Sequence, residues 1–137
     1  MNLPHHRYKL KMTEPTEAAI LKAILIRLAY HPKVAWVHRM NSGAGKVQRR
    51  EGGTSQFMRW GFAGCPDIVA GLKDGRTAWI EVKRPSGRVR EEQEAFINSC
   101  IAHGIPAGIA RSQEDAVAIV EGMKVWQRLH GQERIRL

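Results

Sequence analysis

Apolar and polar positions alternate along the chain in a pattern that predicts helices and strands in turn. Apolar residues recur at helical spacing after Pro15, which indicates an amphipathic helix beginning near Thr13 or Glu14. The helix is expected to end at about Tyr30, because Pro32 cannot continue it. Its predicted buried stripe consists of Ile20, Leu21, Ile24, Leu25 and Leu28.

Two short runs rich in apolar and β-branched residues, 64–71 and 77–83, predict a β-hairpin. Both runs are bounded by Gly, Pro and Asp, which are turn residues. Side chains alternate between the two faces of a strand, so Glu81 and Lys83 share one face. The apolar residues beside them point to the other face, towards the core.

The turn between these strands decides where the carboxylate of Asp67 points. A two-residue turn would leave Asp67 on the face away from Glu81. A three-residue loop with Gly75 in the left-handed conformation would pair Leu72 with Arg76 and bring Asp67 opposite Glu81. We predict the three-residue loop.

The rest of the chain supplies further elements. We expect strands at 34–40 and 106–110, a flexible loop at 41–45, a further strand at 56–60, and helices at 90–103 and from Gln113 towards His130. With the strand at 56–60 left aside, the order is α-β-β-β-α-β-α, which predicts an α/β protein with a mixed sheet flanked by helices. The strand after the second helix should lie parallel to the second hairpin strand through a right-handed crossover.

Composition limits the class of protein. A chain of 137 residues that is 43% hydrophobic fits one domain, which we place at residues 13–137 after a basic leader at 1–12. Lys22 and Arg27 interrupt the longest apolar run, so no membrane span is expected. Cys65 and Cys100 are too few for a disulfide framework, which favours reduced thiols and a cytoplasmic location.

Basic residues outnumber acidic residues by 22 to 13, a formal charge of +9, and this excess predicts a polyanionic partner. Basic side chains concentrate between residues 46 and 59 and again after Lys83, where they are suited to contacting phosphates. A solvated loop is the alternative for the first segment. The candidate nucleic-acid contacts are Asn41, Lys46, Arg49, Arg50, Arg59, Arg84 and Arg88.

Two carboxylates on neighbouring strands repel each other unless a cation lies between them. Asp67 and Glu81, with the backbone carbonyl of Val82, form an oxygen-only ligand set, which suits Mg²⁺ or Mn²⁺ better than zinc. Lys83 shares the face of Glu81. If the polyanionic partner is a nucleic acid that is cut here, the Lys83 ammonium would act electrostatically on the charge that develops at phosphorus, or orient the nucleophile, since nearby carboxylates keep it charged.

The pair Pro66-Asp67 followed by Glu81-Val82-Lys83 resembles the PD-(D/E)xK nuclease motif, and its surroundings resemble the VRR-NUC family over roughly residues 14 to 120. Short fragments of this kind recur by chance, whereas the ordered set is much more specific. The further matching features are Glu17, Asn41-Ser42-Gly43, Gly64 and Gln93.

The resemblance implies roles for two further residues. Glu17 would be an outer-sphere or second-metal ligand, although without the resemblance it is better explained as an acidic residue stabilising the start of a helix. Gln93 would reach the catalytic lysine or the attacking water, and a structural hydrogen bond to backbone is the competing account. The implied catalytic set is therefore Glu17, Asp67, Glu81, Lys83 and Gln93.

The resemblance also implies a restriction-endonuclease-like core and a metal-dependent endodeoxyribonuclease that leaves 5′-phosphate ends. Similar standalone phage or bacterial proteins are homodimers acting on branched DNA such as Holliday junctions, and such a protein would work in a prokaryotic or phage-infected cell. Two alternatives remain open: a flap or restriction-type nuclease, and a non-catalytic DNA-binding protein.

Overall fold

The computed structural model describes residues 13–41, 43–47, 52–53, 55–122, 127–129 and 132–134. The predicted basic leader at 1–12 lies outside this part of the chain. The elements are α1 (Glu17–Ala29), β1 (Val34–Arg39), β2 (Gly43–Val47), β3 (Gln56–Trp60), β4 (Ile68–Leu72), β5 (Thr77–Val82), α2 (Glu91–Ala102), β6 (Ala107–Ala110), α3 (Gln113–Val120), β7 (Gln127–Leu129) and β8 (Gln132–Arg134).

A four-stranded mixed sheet in the order β1-β4-β5-β6 forms the centre of the fold. β4 lies antiparallel to both β1 and β5, whereas β6 lies parallel to β5, as predicted for a strand reached through a crossover helix. All five residues of β4 are buried. Together with α1, α2 and α3, these strands reproduce the predicted order α-β-β-β-α-β-α and the predicted α/β class.

Helix α1 covers one face of this sheet with the predicted apolar stripe. It begins at Glu17, because the Thr16 hydroxyl accepts a hydrogen bond of 3.1 Å from the backbone N–H of Ala19. Four of the five predicted stripe residues are buried, and Leu25 packs partly buried against them. The core that they share with the sheet includes Ile68 and Ile80.

The loop between β4 and β5 has the predicted three residues. The N–H of Leu72 donates a hydrogen bond of 2.8 Å to the carbonyl of Arg76, and Gly75 has a φ of +92°. Ile68 pairs with Ile80. One step further along the same register, Asp67 faces Glu81, so the prediction is confirmed.

Strands β2 and β3 form a hairpin of their own beside the main sheet, antiparallel to each other. The strand predicted at 56–60 is confirmed, but the prediction of a flexible loop over 41–45 is wrong from Gly43 onward. Glycine-rich strands lack side chains to pack. Here the ring of Trp60 lies over Gly45, so close that a Cβ at Gly45 would stand 3.3 Å from it.

The prediction of a last helix running towards His130 is also wrong. Helix α3 ends at Val120, Glu121 caps it through its N–H to the carbonyl of Val117, and Gly122 takes a left-handed φ of +72°. A glycine in this conformation is a common helix terminator. The chain continues with β7, which pairs antiparallel with β8.

Candidate active site

The ends of β4 and β5 bring the two predicted metal-binding carboxylates together. Asp67 directly precedes β4, and its Oδ2 accepts a hydrogen bond of 2.9 Å from the backbone N–H of Val82. Its carbonyl accepts a second bond, 2.7 Å long, from the N–H of Met40. The backbones of two neighbouring strands therefore fix the position of Asp67.

Glu81 lies opposite, with only 2% of its surface exposed. Its Oε1 accepts a hydrogen bond of 2.7 Å from Gln93 Nε2, and Lys83 Nζ lies 3.2 Å from the same oxygen. Its Oε2 is buried and has no hydrogen-bond partner among the described residues. A buried carboxylate oxygen without a partner is costly, so this atom is suited to a ligand.

Burial, and after it the negative charge of Asp67, together raise the pKa of Glu81 to about 7, although Lys83 opposes the shift. The charged form is thus disfavoured even beside an ammonium group. A second positive charge close to both carboxylates would favour it, and this is the electrostatic setting of a cation site.

The donor atoms fit a hard divalent cation. They are carboxylate oxygens of Asp67 and Glu81 and the carbonyl of Val82, which points to the same side of the extended strand as the N–H that Asp67 binds. Within the described ranges, no three His, Cys, Asp or Glu side chains form a metal-binding group. A site with two carboxylates suits Mg²⁺ or Mn²⁺, which usually keep several waters.

Gly64 holds the turn that carries Asp67 against α2. Its φ is +77°, and a Cβ on it would lie 2.1 Å from the carbonyl oxygen of Glu92. Only glycine therefore allows this close contact with the first turn of α2. The same turn contains Gln93, so the contact also sets the distance between Asp67 and the helix that reaches Glu81.

Gln93 makes the hydrogen bond to backbone that was the competing account, and its other contact is with Glu81 instead of Lys83. Its Oε1 accepts a hydrogen bond of 3.0 Å from the backbone N–H of Arg90, which caps the helix, while its Nε2 donates to Glu81. The capping bond fixes the side-chain amide so that its NH₂ group points into the site. A catalytic role for Gln93 stays a prediction.

Glu17 is partly exposed in the first turn of α1, and among the described residues it does not join Asp67 and Glu81 in a group able to bind one metal. Its predicted role as an outer-sphere or second-metal ligand stays a prediction. Glu14, three residues earlier, contacts the loop after Lys83: it accepts hydrogen bonds from the backbone N–H and the hydroxyl of Ser86. These two bonds lower the pKa of Glu14.

Arg111 is a residue of this region that the sequence did not indicate. Its Nη1 donates to three carbonyls of the loop that follows Lys83, at 2.7 Å to Arg84, 3.1 Å to Pro85 and 2.9 Å to Gly87. It directly follows β6, the strand parallel to β5, so the sheet brings it beside this loop. The contacts span 24 or more residues, and no local pattern encodes them.

The structure places the candidate nucleic-acid contacts in three regions. Asn41 is exposed one residue beyond Met40, at the edge where Asp67 lies. Lys46 is exposed on β2, and Arg84 and Arg88 are exposed after β5. The backbone of Arg59 belongs to β3. Arg49 and Arg50 lie outside the described residues.

Comparison with known proteins identifies the family of the chain. The family model of the VRR-NUC domain matches residues 16–114, a range that contains every residue of the predicted catalytic set. No curated protein and no solved structure matches the chain significantly. Nucleases of the PD-(D/E)xK type generally use divalent metals. Among the described residues, no helix is both long and apolar enough to cross a membrane. The chain belongs to the VRR-NUC family and is a nuclease domain of the PD-(D/E)xK type.

Proposed function

We propose that this protein is a Mg²⁺- or Mn²⁺-dependent endonuclease that hydrolyses phosphodiester bonds in branched DNA. The observation that carries the metal dependence is the pair formed by Asp67 and Glu81. One oxygen of Glu81 is buried without a hydrogen-bond partner among the described residues, and its carboxyl has a pKa raised to about 7. A divalent cation would relieve both conditions.

Asp67, Glu81 and the carbonyl of Val82 would hold the cation. When bound, it supplies positive charge to a phosphate oxygen and lowers the pKa of the attacking water. The chain's own part is to keep these oxygens in place: the N–H of Val82 fixes Asp67, and Gln93 fixes Glu81. Because both positioning bonds exist before substrate arrives, the ligand geometry needs little rearrangement.

Lys83 supplies the second positive charge. Its side chain is 9% exposed and its ammonium lies 3.2 Å from Glu81. Because this ammonium is paired with Glu81 at the edge of the site, we assign Lys83 the role of stabilising negative charge at phosphorus rather than that of a general base. Arg84 and Arg88 lie just beyond it and would contact the backbone of the strand being cut.

Selectivity for branched DNA, as in a Holliday-junction resolvase, is the finer part of the proposal. The net charge of +9 supports DNA binding in general, and the resemblance to standalone phage and bacterial VRR-NUC proteins supports the selectivity. Two symmetric cuts across a four-way junction require two active sites related by a two-fold axis, so we propose a homodimer. A flap or restriction-type nuclease would instead cut flaps or linear duplex.

The test is cleavage of labelled four-way junction, flap and linear duplex DNA of matched sequence, with Mg²⁺, with Mn²⁺ and with EDTA. Paired nicks in the junction that require metal would support the full proposal. Cleavage of flap or linear duplex alone would support the nuclease but overturn its junction selectivity. Tight binding without cleavage of any substrate would favour the non-catalytic alternative.

A further inference from the structure

The β2–β3 hairpin presents an aromatic ring beside a cationic side chain. Phe57 on β3 is directly opposite Lys46 on β2, so their side chains share one face of the hairpin. Phe57 is 66% exposed, compared with 42% for Met58 and 40% for Trp60. An exposed phenylalanine next to a lysine, in a protein of net charge +9, favours a partner with both flat rings and negative charge.

Trp60 is less suited to such a partner, although tryptophan is in general a better stacking residue than phenylalanine. Its ring covers Gly45 within the hairpin, at the distance of a tight packing contact. Alternation along β3 places Phe57 on the opposite face from Trp60. The ring available for stacking is therefore that of Phe57.

The base of this hairpin is joined to the active site. Its terminal pair is Gly43 with Trp60, and Met40, just before β2, donates its N–H to Asp67. A strand rises about 3.3 Å per residue, so Phe57 lies about 10 Å along β3 from Trp60, which marks the base of the hairpin.

On the other side of the hairpin base, Phe62 packs against Phe96 of α2, with ring centroids 4.9 Å apart. Phe96 also packs against Trp79 of β5, at 5.5 Å. Helix α2 carries Gln93, which binds Glu81, and β5 carries Glu81 itself. The ring cluster therefore ties the segment after β3 to the elements that form the site.

We infer that Phe57 and Lys46 form a binding site for an unpaired nucleotide, with Phe57 stacking on its base and Lys46 contacting its phosphate. This inference rests on the proposed function and deepens it. A duplex does not expose the faces of its bases, whereas gaps and flaps contain unpaired bases. The hairpin would thus hold an unpaired stretch near the strand to be cut, and would favour substrates that contain one.

The experiment measures binding of fluorescent single-stranded oligo(dT) and of blunt duplex of mixed sequence by anisotropy, in EDTA so that no cleavage is needed. Phe57→Leu should weaken single-strand binding about tenfold and change duplex binding less than twofold, because leucine removes the π-face but keeps apolar bulk. Phe57→Trp should retain single-strand binding. Met58→Leu, on the other face, is the matched control and should behave like the wild type.

Lys46→Gln should lower the slope of log K against log salt for the single strand by about one. Unchanged single-strand binding in Phe57→Leu, with circular dichroism showing the native fold, would overturn the inference. So would an equal loss for both DNAs, or a change from dimer to monomer in sedimentation, which would assign the face to a second copy of the chain.

The same measurements separate this inference from the proposed nuclease activity. If the protein binds single strands through Phe57 but never cleaves DNA with Mg²⁺ or Mn²⁺, the binding site is supported and the proposed function is overturned. If the protein cleaves DNA but Phe57→Leu binds single strands normally, the nuclease function is supported and the binding site is overturned.

Discussion

Gln93 Nε2 donates a hydrogen bond of 2.7 Å to the buried Oε1 of Glu81, while the oxygen of the same amide accepts a hydrogen bond from the N–H of Arg90. Replacing Gln93 by Leu removes the donor and lets the Glu81 carboxylate move. We expect the Mg²⁺ concentration for half-maximal cleavage to rise about tenfold to a hundredfold, the usual cost of losing a group that orients a metal ligand. A metal titration of the cleavage rate measures this.

Gln113→Ala is the matched control, since Gln113 is exposed on α3. Its metal titration should superimpose on that of the wild type. An unchanged titration in Gln93→Leu would mean that Gln93 only caps α2.

The raised pKa of Glu81 predicts how the stability of the metal-free protein depends on pH. The pKa rises from 4.5 to about 7, so between these values the folded protein holds a proton that the unfolded chain has released. The free energy of unfolding therefore falls as the pH rises through this window, by on the order of 3 kcal/mol. Glu81→Gln does not titrate and should unfold several degrees higher than the wild type at pH 8 in EDTA.

At pH 4 the two proteins should have similar melting temperatures, because the wild type then carries a neutral carboxyl as well. Added Mg²⁺ at pH 8 should stabilise the wild type and leave Glu81→Gln unchanged. If the melting temperatures of the two proteins differ by the same amount at every pH from 4 to 8, the pKa of Glu81 is not raised in the folded protein.

Substitutions at Gly64 and Gly104 distinguish the cost of backbone strain from the cost of steric overlap. Both have left-handed φ, +77° and +72°, but a Cβ at Gly64 meets the backbone of Glu92, whereas nothing lies within 4 Å of a Cβ at Gly104. Gly104→Ala should cost about 1 kcal/mol of unfolding free energy, the strain alone. Gly64→Ala should cost more than twice as much and should also reduce cleavage, because the turn carrying Asp67 has to move. Equal losses of stability in urea denaturation would argue against close packing at Gly64.

The contacts of Arg111 predict that its substitution weakens DNA binding without slowing catalysis. Its three bonds hold the loop that carries Arg84, while Lys83 is fixed independently by its N–H to the carbonyl of Ala110. Arg111→Lys keeps the charge but cannot reproduce the fork of the guanidinium. We expect KM for DNA to rise several-fold, with kcat changed less than twofold.

Arg84→Ala should raise KM as well, and the double variant should be no worse than the poorer single variant, since both act through the same loop. Arg27→Lys, at an exposed position of α1, is the control for the replacement of an arginine by a lysine. A fall in kcat with constant KM in Arg111→Lys would contradict the proposed positioning role.

Much of the central site followed from local rules. The position of Gly75 sets the length of the β4–β5 loop, and loop length sets the register, so Asp67 could be placed opposite Glu81 before the fold was known. Helical spacing likewise identified the stripe of α1. These features depend on residues close together in sequence.

Most of the features that the sequence did not predict depend on distant contacts. Strand β2 contains glycines that disfavour a strand, and it is covered by Trp60, fifteen residues beyond Gly45. Arg111 and Glu14 meet the loop after Lys83 from opposite ends of the domain. The left-handed Gly122 shortened α3, although an apolar pattern continued past it. In the first two cases tertiary packing decided between local alternatives, whereas the end of α3 follows from Gly122 itself.

The most direct test of the account is the Asp67→Asn variant. Asparagine keeps an oxygen for the N–H of Val82 but removes the negative charge, so the fold should persist. With Mg²⁺ we expect the rate of junction cleavage to fall at least about a thousandfold, because the cation loses a charged ligand. The affinity for the same junction in EDTA should stay within twofold. Cleavage at the wild-type rate, or a parallel loss of binding and cleavage, would contradict the assignment of Asp67 and Glu81 as a metal-dependent catalytic site.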